Sequence, residues 1–279
     1  MVAPKSVLVT GCTPGGLGHA LALEFHKRGT RVFATARRLE TLDDLRAKGI
    51  ETFALDVTSD ESVQAAAAHV SEATGGTLDI LVNNAGVGYA MAATDLEISK
   101  VQEIYNANVF GVMRMVKAFV PLVIAAKGKI VNNGSVAGTT PLPFRSAYAS
   151  SKAALHSYGD ALRLELKPFD VSVITLVTGS VESIGAANDT IVDELPNSLF
   201  TPILKDVREK LTKLPAVRMP AQAWAQKVVS VVLGQSNPRW YWAGANAGMM
   251  EFMTAYFPRS IMDSIFSSTY GLPELKKHA

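Results

Sequence analysis

Cysteine is almost absent: Cys12 stands alone, so neither an intrachain disulfide nor a thiolate-based zinc site can be assembled. An excess of charge is missing too, since 27 basic against 25 acidic side chains leave a formal net charge of +2. Nucleic acid is therefore not an expected partner, because phosphate binding needs a concentrated surplus of Lys and Arg. The five histidines show no paired-ligand spacing, and no metal is expected. No Gly/Ser or Pro-rich linker and no fixed-period repeat divides the 279 residues, so one domain is expected over 1–279. Met1 to Thr10 holds one lysine and only the short run Val7 to Val9, too little for a signal-peptide core, and reads as a first strand. A reducing, cytoplasmic setting fits these absences. What the chain does have is apolar material: 48% hydrophobic residues can bury a full core and exclude a mainly disordered chain.

Short branched runs alternate with helical spacing. Val7–Val9, Val32–Ala36, Phe53–Leu55, Ile80–Val82, Ile130–Val131 and Val171–Val177 read as strands. Between them, Leu17–Arg28, Leu39–Lys48, Asp60–Ala73, Leu96–Ala126 and Ser146–Lys167 read as helices. That alternation predicts an α/β fold, a doubly wound parallel sheet of Rossmann type with helices on both faces. Ligands of such a sheet bind beyond the carboxyl ends of its strands, where strand order reverses. From Gly185 to Pro220 four prolines, Pro196, Pro202, Pro215 and Pro220, break the pattern, with a helical piece at Thr201–Leu214, and a substrate lid is expected over 185–219. A helix at Ala221–Leu233 and a strand at Arg239–Trp242 follow. Residues 240–279 then form a Met- and aromatic-rich cover.

The first strand runs straight into Thr10-Gly11-Cys12-Thr13-Pro14-Gly15-Gly16-Leu17-Gly18 and a helix. Glycines there allow a tight turn and close approach to a pyrophosphate, favoured by the free amides of the helix N-terminus; alone, the pattern also fits a plain tight turn. An NAD site usually has an acid about twenty residues on, for the adenosine ribose. Arg37 and Arg38 stand in that place, and two guanidinium groups suit a 2′-phosphate, so NADP(H) is favoured over NAD(H). The other reading is two arginines capping a strand end and facing solvent.

Of seven tyrosines, only Tyr148 has a lysine four residues on, Lys152. One helix face would carry both, and an ammonium near a phenol favours the phenolate. Such a tyrosine can exchange a proton with a carbonyl or alcohol. Ser135 follows the Lys129–Gly134 strand, Asn108 sits oddly inside a helical stretch, and Asn83-Asn84-Ala85-Gly86 ends the fourth strand.

The glycine loop, Asp56-Val57, Asn83-Asn84-Ala85-Gly86, Asn108, Ser135, Tyr148 and Lys152 together resemble the short-chain dehydrogenase/reductase family, in its single-domain Tyr-Lys form, over nearly all of residues 5 to 183. The resemblance implies an oxidoreductase with Asn108, Ser135, Tyr148 and Lys152 as its catalytic set. Tyr148 would be the general acid/base, Lys152 its activator and a holder of the nicotinamide ribose, Ser135 the group polarising the substrate oxygen, and Asn108 the keeper of a relay water. Gly11, Thr13, Gly16, Leu17, Arg37, Arg38, Asp56, Val57, Asn84, Ala85, Gly86, Gly179, Val181 and Ser183 would line the cofactor with Tyr148 and Lys152. Asp56 is expected on the adenine amino group and the Val181 backbone on the nicotinamide amide. A homodimer or homotetramer built on Leu96–Ala126 and Ser146–Lys167 is implied as well.

Three features depart from the family pattern. The glycine loop is one residue longer and contains Pro14, which has no N–H to donate. After the sixth strand Thr178-Gly179 replaces Pro-Gly, and Ser183 replaces a common threonine. Asn132 adds a polar group to a strand end, with no role assigned.

Phe33-Ala34-Thr35-Ala36-Arg37-Arg38, Gly86-Val87-Gly88-Tyr89, Leu164 to Phe169 and Trp240-Tyr241-Trp242-Ala243-Gly244 are similar to a narrower branch, the fungal NADPH-dependent 1-acyldihydroxyacetone-phosphate reductases and related ketoreductases. That implies reduction of a lipophilic ketone or aldehyde, an acyl-ketone phosphate or a secondary-metabolite ketone. Oxidation of a retinoid- or steroid-like alcohol is the alternative; a nucleotide-binding module or an acid/base isomerase would be a different class. From Trp240 to Phe257 only Glu251 is charged. This stretch reads as pocket wall or subunit interface, with peripheral contact to endoplasmic reticulum or lipid droplets as the second reading.

Overall fold

The computed structural model describes residues 4–184, 190–191, 198–213 and 217–277. Of the stretch expected to form a lid, 185–189, 192–197 and 214–216 lie outside the described residues. The strands are β1 (Ser6–Val9), β2 (Arg31–Ala36), β3 (Glu51–Ala54), β4 (Ile80–Asn83), β5 (Tyr89–Ala90), β6 (Lys129–Asn133), β7 (Ser172–Thr178), β8 (Thr190–Ile191) and β9 (Trp240–Ala243). Seven of them make one parallel sheet in the order β3-β2-β1-β4-β6-β7-β9, while β5 and β8 pair separately. Strand order reverses between β1 and β4, which opens a crevice beyond their carboxyl ends.

Alternation along each strand divides the core. Val7 and Val9 of β1, with Val82, Val131 and Ile174, face α1 (Leu17–Lys27) and α8 (Ala221–Leu233), whose Phe25 and Trp224 are fully buried. Leu8, Phe33, Leu81 and Ile130 point the other way, against α3 (Asp60–Thr74), α5 (Gly111–Ala125) and α6 (Ser146–Leu166). Each such large side chain contributes about 2 kcal/mol by leaving water, so the doubly covered sheet is a rigid platform.

Some expected elements change form. Leu39–Lys48 becomes a 3-10 turn, Leu39–Leu42, and the short helix α2 (Asp43–Arg46). The single helix expected over Leu96–Ala126 is instead α4 (Ile98–Tyr105) and α5, joined through a π-helical turn at Asn106–Phe110. The wider turn rotates Asn108 inward, where it is fully buried. The helical piece after Pro202 is α7 (Leu204–Lys213). The tail folds as β9, α9 (Ala247–Tyr256) and α10 (Arg259–Thr269), with Pro258 at the corner. Neither tail helix is long enough to cross a bilayer. Tyr270 returns to pack with Ile203 and Val207 around Phe144, so the chain end covers the segment leading into α6.

Candidate active site

The lengthened glycine loop has a local explanation. Gly16 N–H donates to Thr13 O at 3.0 Å, with Pro14 and Gly15 between them and Gly15 at φ +75°. That is the arrangement of a type II turn, in which proline suits the second position and the positive φ of the third favours glycine. The extra residue is absorbed in the turn. Gly16 N–H is spent there, and Gly16 O receives Ala20 N–H, so the amides of Leu17 and Gly18 open the helix without intrahelical partners. A Cβ on Gly18 would stand 2.4 Å from Gly11 O and 2.5 Å from Asn84 Nδ2, and one on Gly11 would stand 2.9 Å from Ala85 Cα. These glycines let β1, α1 and the end of β4 close on one another. Cys12 is buried beneath the loop, its thiol pushed up to about 12 by desolvation, so it is an inert apolar filler.

A ladder of amides binds the strand ends. Asn84 Nδ2 donates to Thr10 O at 2.8 Å, and Asn84 Oδ1 accepts from Asn133 Nδ2 at 2.9 Å. Asn133 Oδ1 accepts from Thr178 Oγ1 at 2.7 Å. Asn84, expected to line the cofactor, thus spends its side chain tying β1 to β6. Asn132 gains a role: its Oδ1 accepts from Asn83 Nδ2 at 2.9 Å, across the β4–β6 register pair. Asn108 braces the next turn, with Oδ1 on Val87 N–H at 2.9 Å and both amide protons taken by Val87 O and Ser151 Oγ. A relay water therefore cannot be held by those donors; only the second Oδ1 lone pair and the main chain of Asn108 remain for it.

Tyr148 and Lys152 lie one turn apart near the start of α6, and Lys152 Nζ is 5.7 Å from the centre of the Tyr148 ring. Lys152 is only 6% exposed and donates one bond, to Asn133 O at 2.8 Å. Its other two protons have no acceptor among the described residues. Across the crevice Gly86 leaves the space open, for a Cβ there would stand 2.9 Å from Asn108 Oδ1 and 3.7 Å from Lys152 Nζ. Ser135 Oγ accepts from Ala137 N–H at 3.1 Å, which leaves its own hydroxyl proton free to point away.

Desolvation lowers the Lys152 pKa from 10.5 to about 8. At neutral pH the group keeps its proton, yet the folded chain gives that proton up sooner than the unfolded chain. Its contribution to stability is therefore absent below about pH 8 and grows as the pH rises to 10.5. The nucleotide-free protein should gain up to about 3 kcal/mol over that window relative to Lys152→Met, measured as the difference between their urea midpoints. Parallel midpoints would show that the ammonium is not desolvated.

At the far end of the crevice, Met219 bonds to Ser180 O and Glu182 N–H, bypassing Val181. The N–H and C=O of Val181 are left out of that pairing, as its expected role requires. Gly179 is pinned against the end of β9: its N–H goes to Ala243 O at 2.8 Å, and a Cβ would stand 2.5 Å from Ala245 O. Ser183 sits on the segment that reaches back to the glycine loop, where Ile184 N–H donates to Gly15 O at 3.1 Å. Beyond β2, Arg37 and Arg38 are exposed; the nearest carboxylate to Arg38 is Glu40 at 3.9 Å. After β3, Asp56 Oδ1 is held by Thr58 N–H and Oγ1, while Val57 is buried against Gly111.

These donors fit a dinucleotide: free helix amides for the pyrophosphate, two exposed guanidinium groups for a further phosphate, a buried ammonium with protons to spare, and a glycine that keeps the cleft open. Sequence reasoning missed His156. Its ring lies under Ser135, with Nε2 accepting Ser135 N–H at 3.2 Å. The available signal was spacing, since His156 follows Lys152 by four residues and so shares its face of α6.

A family model described as short chain dehydrogenase matches residues 5–191. The chain is 39% identical over 276 residues to the short-chain dehydrogenase fogD of Aspergillus ruber, covering 99% of this chain and 96% of that protein. It is also 39% identical over 247 residues to an NADPH-dependent 1-acyldihydroxyacetone phosphate reductase of Schizosaccharomyces pombe, covering 86% of this chain and 82% of that one. Among solved structures, a short-chain dehydrogenase from Streptomyces avermitilis superposes with a TM-score of 0.82 at 26% identity, covering 100% of this chain and 99% of the other.

Proposed function

This chain belongs to the short-chain dehydrogenase family, and from that membership we propose that it is an NADPH-dependent reductase of a ketone or aldehyde on a lipophilic small molecule. One observation carries the reading: a buried, charged Lys152 held on Asn133 O beside the Tyr148 ring, with Ser135 Oγ oriented by Ala137. The NADPH dependence named for the yeast relative and the exposed Arg37 and Arg38 support the choice of cofactor.

The amides of Leu17 and Gly18 would hold the pyrophosphate, Arg37 and Arg38 the 2′-phosphate, the Val181 backbone the carboxamide, and Lys152 the ribose hydroxyls. When bound, the nicotinamide supplies the hydride that reaches the carbonyl carbon. Tyr148 gives its phenolic proton to the carbonyl oxygen, and Ser135 donates a second hydrogen bond to that oxygen. Lys152 makes the proton transfer easier, because a positive charge nearby in a dry site favours the phenolate left behind. Asn108 keeps the turn at Gly86 and Val87 clear of the cleft.

A cavity of about 450 Å³ adjoins the loop after Ser135 at Gly138 and Thr139 and is walled by Trp240, Trp242 and Phe257, with Glu251 and Arg259 as charged lining. Such walls favour a bulky apolar substrate. Exposed Ile98, Phe110 and Leu164 support pairing of subunits through α4 to α6.

NADPH oxidation with matched panels of acyl-ketone phosphates, steroids, retinals and aromatic polyketide ketones tests the proposal. Turnover is expected with bulky ketones or aldehydes and should fade with small ones. Nucleotide binding without NADPH consumption across all four panels would overturn it.

A further inference from the structure

We propose that His156 is a positioning residue for Ser135, an acceptor fixed beneath the loop that holds the serine backbone so that its hydroxyl meets the substrate oxygen. The inference rests on the reading of Ser135 given above. His156 is 3% exposed, and Nε2 accepts Ser135 N–H at 3.2 Å. Two glycines bracket the contact. A Cβ on Gly134 would stand 2.3 Å from Nε2, and one on Gly138 would stand 2.8 Å from Cε1. The imidazole therefore fills the space under residues 134–138, so that neither glycine could carry a side chain without displacing the ring.

Ser135 is extended, at φ −158° and ψ 151°, and its Oγ accepts from Ala137 N–H. Its N–H below and its Oγ above are both engaged, which leaves the hydroxyl proton as the one group able to turn toward a ligand. The ring is held in turn by Trp240, with ring centres 5.0 Å apart. Trp240 Nε1 donates to Asp160 Oδ1 at 3.1 Å, and Arg239 Nε donates to the same oxygen at 2.7 Å. An acceptor at Nε2 requires the neutral ring with its proton on Nδ1. Burial and the Lys152 charge hold the pKa down to about 4, against the opposing pull of Asp160, so the ring stays neutral where the enzyme works.

The strut predicts a specific coupling. His156→Leu keeps volume and removes the acceptor; kcat for a ketone turned over in the panels should fall about tenfold or more, with the dissociation constant for NADPH within about twofold. His156→Gln places an amide oxygen near the position of Nε2 and should recover kcat to within about threefold of wild type. In the Ser135→Ala background, His156→Leu should cost nothing further, because the group it positions is gone. A full tenfold loss on top of Ser135→Ala would overturn the inference, as would an unchanged kcat in His156→Leu when Ser135→Ala is impaired. Normal turnover by Ser135→Ala alone would instead sink the role of Ser135, and this inference with it. Should His156→Leu fail to fold, His156→Met carries the same comparison.

Discussion

Tyr148→Phe is expected to lower kcat by on the order of a hundredfold or more while NADPH binding stays within about twofold of wild type. The substitution removes one oxygen from a half-buried side chain and keeps the ring that faces Lys152 at 5.7 Å. Packing and nucleotide binding should survive, since the phosphate-holding groups lie on other elements. The carbonyl oxygen then keeps the Ser135 hydrogen bond but loses its proton source. Single-turnover NADPH oxidation and nucleotide fluorescence measure the two effects separately. Full activity in this variant would sink the assignment of Tyr148. The competing readings also separate here: a nucleotide-binding module consumes no NADPH with either protein, and an acid/base isomerase forms product without a change in nicotinamide absorbance.

Replacing Arg37 and Arg38 together with Ser should raise the KM for NADPH by roughly thirty- to a hundredfold and that for NADH by less than about threefold. Each charge-assisted bond to a phosphate is worth about 1.5–3 kcal/mol before solvent screening, and both groups are exposed. Neither arginine has much to lose structurally. Arg38 is 75% exposed with a carboxylate no nearer than 3.9 Å, so the variant should unfold at the wild-type midpoint. The KM for NADPH should also climb with ionic strength in the wild type and hardly at all in the variant. Equal effects on the two nucleotides would return these arginines to the role of strand-end caps.

The strand–helix alternation, the glycine loop at the first turn and the Tyr148–Lys152 spacing were all legible, because each depends on neighbours within one or two turns. Where the expectation and the structure part, distant groups decide. Asn108 carries no local sign that its amide will be consumed by Val87 and Ser151, since Ser151 is 43 residues away. Gly179, placed on the cofactor by the family resemblance, also has its N–H tied to Ala243 at the end of β9 and its Cα closed off by Ala245 beyond it. The π-helical turn is equally hidden, as the 3.6-residue period runs on through it.

By itself the sequence determined the class of fold, the order of its chemical groups and the sign of charge awaiting a cofactor phosphate, because periodicity, turn chemistry and charge are properties of short segments. The tertiary structure alone decided which of those groups are free to act. Among the described residues Lys152 keeps two protons unspent while the donors of Asn84 and Asn108 are used inside the protein, and a histidine with no motif of its own lies under Ser135. The reason is physical: a hydrogen bond made across the sheet removes a group from service, and only the packing of β1, β4, β6 and α6 determines where those bonds close.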